Sequence, residues 1–111
     1  MSAGEEVLGN YVSRIFAQRE RIAAKEKMVK SYEEQRKDFP KWVTKNGKEI
    51  QVADIDNQHL CNLIEFIRKK DPESEWLKVF RAETRNREFA AELKAMKKEL
   101  EEMEEILHLY L

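Results

Sequence analysis

Cysteine occurs once, proline and histidine twice each, and glycine three times in 111 residues. A single cysteine, Cys61, cannot close an internal disulfide, which excludes the disulfide scaffolds of secreted domains and points to a reducing cytoplasm. His59 and Cys61 stand two apart with no second histidine or cysteine near them, so a zinc site would lack ligands and no metal is expected. Gly4, Gly9 and Gly47 are too far apart to build a phosphate-cradling loop, and nothing has the spacing of a nucleophile elbow. Neither a cofactor nor a catalytic centre is therefore expected. No apolar run approaches the roughly 18 residues of a membrane span, and residues 1–10 lack the basic start and apolar middle of a signal peptide, so no membrane partner is expected either. An excess of one charge is missing too. A net charge of −1 and a pI near 6.2 argue against a dedicated nucleic-acid binder, whose footprint is a strongly basic domain.

What the chain does have is charge, 39% of its residues, beside 41% apolar residues, a balance that suits long exposed helices arranged as one domain over 1–111. The charge is sorted along the chain. Arg14 to Lys48 carries eleven basic and five acidic residues, whereas Glu99 to Leu111 carries five glutamates and no lysine or arginine. A basic arm and an acidic tail can attract each other, within one chain or between two. Over residues 5–38 Leu8, Ile15, Ile22 and Val29 recur every seven positions, which predicts one helix of about 50 Å. Its stripe is thin in the middle, where Gln18 and Lys25 hold the partner positions. Phe39-Pro40 ends it, because the residue before proline is pushed out of the helical region.

Asn46-Gly47, set between Trp42-Val43-Thr44 and Ile50-Gln51-Val52, predicts a β-hairpin with a type I′ turn. Folding about that turn would put Val43 opposite Ile50 on one face and Trp42 with Thr44, Glu49 and Gln51 on the other. Asp54 and Asp56 are candidate N-caps of a second, short helix whose apolar face would comprise Ile55, His59, Leu60, Leu63, Ile64, Phe66 and Ile67. Hairpin and short helix would form a head over 41–70. Asp71-Pro72-Glu73 reads as the start of a third helix over 72–111, with Asp71 as cap and Pro72 at its first position. Trp76, Leu77 and Phe80 lead into a heptad seam of Phe89, Leu93, Met96, Leu100, Met103, Leu107 and Tyr110. The expected class is mostly α: a long N-terminal helix, a β-hairpin, a short helix and a long C-terminal heptad helix. The two stripes must pair with each other or with a second copy, and a homo-oligomer, most simply a two-fold dimer, is expected.

The candidate ligand site is a groove in the head. Trp42, Lys45, Arg68 and Trp76, with His59 and Asn62, would offer aromatic surfaces and two cations to a nucleotide or other phosphorylated ligand. The competing reading is that both tryptophans plug the junction of three elements. Asp56 and His59 fit a helix cap better than a carboxylate-imidazole pair, the histidine then bonding a hairpin carbonyl. The cations of the first helix, Arg14, Arg19, Arg21, Lys25, Lys27 and Lys30, scatter around it instead of forming one stripe, and Glu20 and Glu26 dilute their field.

The stretch from Trp42 to Arg68, with Trp76 and Arg87 beyond it, resembles a segment of small bacteriophage- and prophage-encoded proteins that carry no assigned reaction. The pattern is a tryptophan, Thr-Lys-x-Gly, an isoleucine strand, then His-Leu-x-Asn opening a helix with a basic end. Trp42, Thr44, Lys45, Gly47, Ile50, His59, Leu60, Asn62 and Ile64 occupy its positions, and Ile55 departs from it by replacing methionine. The match covers roughly two fifths of the chain and leaves out the N-terminal helix and the heptad tail. It implies a phage origin and action in the cytoplasm of a bacterial host. With no catalytic constellation and a charge-sorted surface, the expected role is a non-enzymatic accessory or host-modulating factor that binds a host protein or a host signalling molecule stoichiometrically. The alternatives are a nucleic-acid binder using the basic first helix and a coiled-coil virion assembly or scaffold component.

Overall fold

A computed structural model describes residues 3–110, and the side chains from Leu8 to Tyr110. The chain is mostly helical, as its sequence predicts: α1 (Ala3–Arg36), a hairpin of β1 (Trp42–Val43) and β2 (Glu49–Ile50), one 3-10 turn (Val52–Asp54), α2 (Asn57–Lys70) and α3 (Glu75–His108). It forms two compact units, each using part of α1 and part of α3. One takes the chain up to Val29 together with the chain from Phe89 onward; the other is the continuous segment Lys30–Glu88.

In the first unit α1 and α3 run antiparallel, since Arg19 pairs with Glu104 and Lys25 with Glu92. Ile15, Ile22, Val29, Leu93 and Met103 are buried there, while Leu8, Phe89, Met96, Leu100 and Leu107 are half-buried. Each fully buried aliphatic side chain stabilises this pairing by about 1.5–3 kcal/mol. The thin point of the α1 stripe is closed by a hydrogen bond: buried Gln18 donates from Nε2 to the Met96 carbonyl oxygen at 3.2 Å. Lys25 also sits over the Phe89 ring, 5.1 Å from its centroid. The stripes assigned to oligomer formation are thus covered within one chain, and basic arm and acidic tail meet in the same chain through Arg19–Glu104. The Tyr11 hydroxyl is buried with no hydrogen-bond partner among the described residues. Tyr11→Phe keeps the ring and removes the orphan, so Tm should stay level or rise by a few degrees in a thermal melt.

In the second unit the core is Val52, Ile55, Leu60, Ile67, Leu77 and Phe80, flanked by Phe39, Trp42, Ile50, Leu63, Ile64, Trp76 and Val79. α2 buries the face that Leu60, Leu63, Ile64 and Ile67 share. Phe66 stands about 100° away from Ile67 on the helix and is 59% exposed, so it leaves the expected face, and Ile55 belongs to the turn before the helix. Asp56 caps α2 by accepting the His59 backbone N–H at 2.8 Å. The bond that holds His59 is this backbone donor, and no imidazole bond to a hairpin carbonyl exists among the described residues.

Two local expectations are corrected. The hairpin register is Trp42↔Ile50 and Val43↔Glu49, one residue off the expected pairing. A type I′ turn needs positive φ at both central residues, but only Gly47 is positive, at 82°. The loop has three residues: Gly47 N–H donates to the Thr44 carbonyl at 2.9 Å and Thr44 N–H to the Lys48 carbonyl at 2.8 Å, with Gly47 as the left-handed residue of the bulge. Thr44 Oγ1 adds a bond from Lys48 N–H. A one-residue slip turns over the side chains of the strand that slips, here β1, so Trp42 joins Ile50 on the core while Val43 is 54% exposed. A Cβ on Gly47 would meet no atom within 4 Å, so Gly47→Ala costs only backbone strain, about 1 kcal/mol; Gly47→Asn, which tolerates the conformation better, should cost less in the same melts.

The third helix is capped by Ser74, not Asp71, and starts at Glu75. Asp71 closes α2, its N–H donating to the Ile67 carbonyl at 2.7 Å, and Pro72 sits in a turn closed by Ser74 N–H to the Asp71 carbonyl at 3.0 Å. Ser74 Oγ then accepts from Trp76 N–H at 3.2 Å. A proline at the second position of a turn is as well placed as one at a first helical position, so Asp-Pro alone does not separate the two.

Candidate functional site

The chemistry of the second unit centres on Glu83, which is 1% exposed. Helical spacing brings the carboxylate there: Trp76, Phe80, Glu83 and Arg87 follow one another at four, three and four residues on α3, so Glu83 continues the apolar face that Phe80 begins. A buried carboxylate persists only if its charge is met and its lone pairs are filled. Arg87 donates from Nε at 2.7 Å along the same helix. From α1, Arg36 Nη1 reaches both carboxylate oxygens at 3.1 and 3.3 Å, and the Tyr32 hydroxyl donates at 3.0 Å. Arg87 uses its remaining donors on the backbone before α2, reaching the Ile55 carbonyl at 2.6 Å and the Val52 carbonyl at 3.3 Å, and on the side chain of the first residue of α2, Asn57 Oδ1, at 2.7 Å. One guanidinium fork therefore ties α3 to the 3-10 turn and to the start of α2, a task its planar, multiply donating shape suits and a lysine would not.

Burial, then the Glu83 charge and the bond to it, push the Tyr32 phenol well above the ordinary tyrosine range. The group is thus kept neutral in the folded state. An unfolded tyrosine ionises near pH 10, so its stabilising contribution is complete below about pH 10 and is lost as pH rises from there toward the folded value. Denaturant midpoints measured from pH 8 to 11.5 should fall more steeply above pH 10 in the wild type than in Tyr32→Phe. At pH 8 that variant should be weaker by about 1–2 kcal/mol for the lost donor.

Beside this network lies a cavity of about 310 Å³, lined by Glu33, Arg36, Lys37, Phe39, Lys41, Gln51, Val52 and Ala53. Its wall combines three cations with one acid. Arg36 belongs to both structures: it lines the cavity and it holds Glu83. Lys37 pairs only with Glu34, both side chains being well exposed, and Lys41 has no charged partner among the described residues.

None of the six residues assigned to the expected groove lines this cavity. Trp42 and Trp76 do come together, edge to face at 5.1 Å between ring centroids, but each also packs on Phe80, at 5.3 and 5.4 Å. They plug the junction of strand and helix, because the hairpin register turns Trp42 inward. Arg68 is on the exposed side of α2, where its hydrogen bond to Glu65 holds that carboxyl below the usual range. Asn62 accepts from Gln58 one turn away, His59 is half-buried, and Lys45 is exposed in the hairpin loop. Glu83 and the cavity escaped the sequence reading because a glutamate on a charged helix looks solvated. The available sign was its place in the gap that the apolar stripe leaves between Phe80 and Phe89, four residues before Arg87.

No cluster of three or more metal-binding side chains occurs among the described residues, and none of the described helices is long and apolar enough to cross a membrane. Comparisons with protein-family models, with curated proteins and with solved structures find no match for this chain.

Proposed function

We propose that this chain is a non-enzymatic interaction protein that acts by stoichiometric binding, the cation-lined cavity of its Lys30–Glu88 unit being the capture site. The observation that carries this reading is the meeting of a ligand-sized hollow with a buried network that fixes one of its cations: Arg36 enters the cavity already oriented by Glu83. A cation positioned in advance loses little freedom when a ligand arrives. The resemblance of the Trp42–Arg68 stretch to phage-encoded proteins supports a phage origin and a host protein or host signalling molecule in the bacterial cytoplasm as the target. Immobilised full-length protein should retain one host component from bacterial lysate, or a host metabolite extract should raise its Tm. Neither effect appearing would overturn the reading.

A homodimer is part of the same proposal, by a surface other than the heptad stripes. Phe16, Ile106 and Leu109 remain exposed on the unit that contains α1 up to Val29 and α3 from Phe89, Leu109 at 82%. A second copy seated on these side chains would take them out of water. Light scattering coupled to size exclusion should give twice the chain mass of 13.3 kDa, and the single chain mass would remove the dimer. The nucleic-acid reading loses two of its cations, since Arg19 and Lys25 are ion-paired with Glu104 and Glu92. The virion-scaffold reading would be favoured by finding the protein in purified particles.

A further inference from the structure

We infer that the cavity takes a small phosphate monoester carried on an apolar or aromatic body, a ligand of the nucleoside monophosphate class. This rests on the binding role proposed above and supplies its ligand.

Size sets the first limit. A cavity of about 310 Å³ is at the lower end of small-molecule sites, so it suits one compact ligand and not a dinucleotide or a folded partner's loop. Charge sets the second. Arg36, Lys37 and Lys41 outnumber the wall's one carboxylate, Glu33; Glu83 takes Nη1 of Arg36 and exposed Glu34 pairs with Lys37, so the cationic groups left for a phosphate are Lys41 and the free side of the Arg36 fork. The carbonyl end of α1 lies at Arg36 and opposes an anion with about half a unit of negative charge, against which Lys41 and the Arg36 fork act. Arg36 gives only Nη1 to Glu83; its Nε and Nη2 bond nothing among the described residues, so adjacent donors of one fork remain for two phosphate oxygens. Lys41, exposed and without a charged partner, can close on a third oxygen at no cost in broken ion pairs.

The rest of the wall is not anion-like. Phe39 and Ala53 form an apolar side, with Phe39 held edge-on by Tyr32 at 5.9 Å between centroids. Inorganic phosphate would leave that surface wet, whereas a ring would cover it. Glu33 and Gln51 add an acceptor and an amide for hydroxyl or amino groups on the body.

The test is calorimetric titration of the full chain with AMP, GMP, CMP and UMP, and separately with adenosine and with inorganic phosphate. At least one monophosphate should bind saturably with one site per chain, adenosine should not, and inorganic phosphate should bind about tenfold or more weakly. Lys41→Glu changes an exposed side chain, so it should keep the wild-type Tm while weakening monophosphate binding by about tenfold or more. No saturable monophosphate binding at millimolar concentration, equal affinity for inorganic phosphate, or affinity unchanged in Lys41→Glu would each overturn the inference. An acidic phosphopeptide that binds and is not displaced by the monophosphates would overturn it as well. A host protein retained equally by wild type and Lys41→Glu, with no monophosphate bound, would refute the ligand class while leaving stoichiometric binding intact.

Discussion

Glu83→Ala is expected to lower the stability of the Lys30–Glu88 unit by about 3 kcal/mol, a fall in Tm of about 15 °C. Removing the carboxylate leaves the Arg36 and Arg87 guanidiniums close together with no counter-charge and strands the Tyr32 hydroxyl. Breaking a buried pair by removing one partner costs about 3–5 kcal/mol. The lower end applies because the arginine side chains are about one quarter exposed, 23% and 24%, and can recover some hydration. Glu83→Gln keeps the shape and one acceptor but not the charge, so it should lose about 2 kcal/mol. A double-mutant cycle between Arg36→Ala and Glu83→Ala should show a coupling of about 1–3 kcal/mol in denaturant melts. Additive losses would mean that the network is geometric coincidence and that Arg36 is not held in place for the cavity.

The second large effect concerns the hairpin. Trp42→Ala should cost about 3 kcal/mol, and Phe80→Ala, at a fully buried site, about 4 kcal/mol, because each removes a ring from a three-membered aromatic cluster and leaves a void that the junction cannot close. Val43→Ala should change stability by less than about 0.5 kcal/mol, since its side chain faces solvent. The contrast decides the register. With the pairing expected from an Asn-Gly type I′ turn the order would reverse, Val43 being costly and Trp42 nearly neutral. Chemical denaturation of the three variants separates the two registers without any structural measurement.

The helices were legible because their information is local and repeated. Leu8, Ile15, Ile22 and Val29 on one side, and Leu93, Leu100 and Leu107 on the other, each state the same period several times over. Asp56 as cap of α2 was equally plain, a short polar side chain just ahead of an apolar face. The hairpin was legible as a reversal but not in its register, because Asn-Gly permits both a two-residue and a three-residue loop, and the choice rests on which face of a two-residue strand the core will accept. The residues of the expected groove are separated for the same reason. Once Trp42 turns inward it is spent on Trp76 and Phe80, and the cations paired with it in the sequence reading, Lys45 and Arg68, are left on the outside.

By itself the sequence determined the number, order and near-limits of the helices, the place of the hairpin and which apolar residues are buried in stripes, since periodicity and capping act over a few residues. Tertiary structure alone decided that α1 and α3 cover each other within one chain, that Glu83 is buried among Tyr32, Arg36 and Arg87, and that three cations gather around a cavity. Arg36 and Glu83 are 47 residues apart, and nothing local to either records the other. A buried charge is chosen by partners that only folding brings within hydrogen-bonding distance.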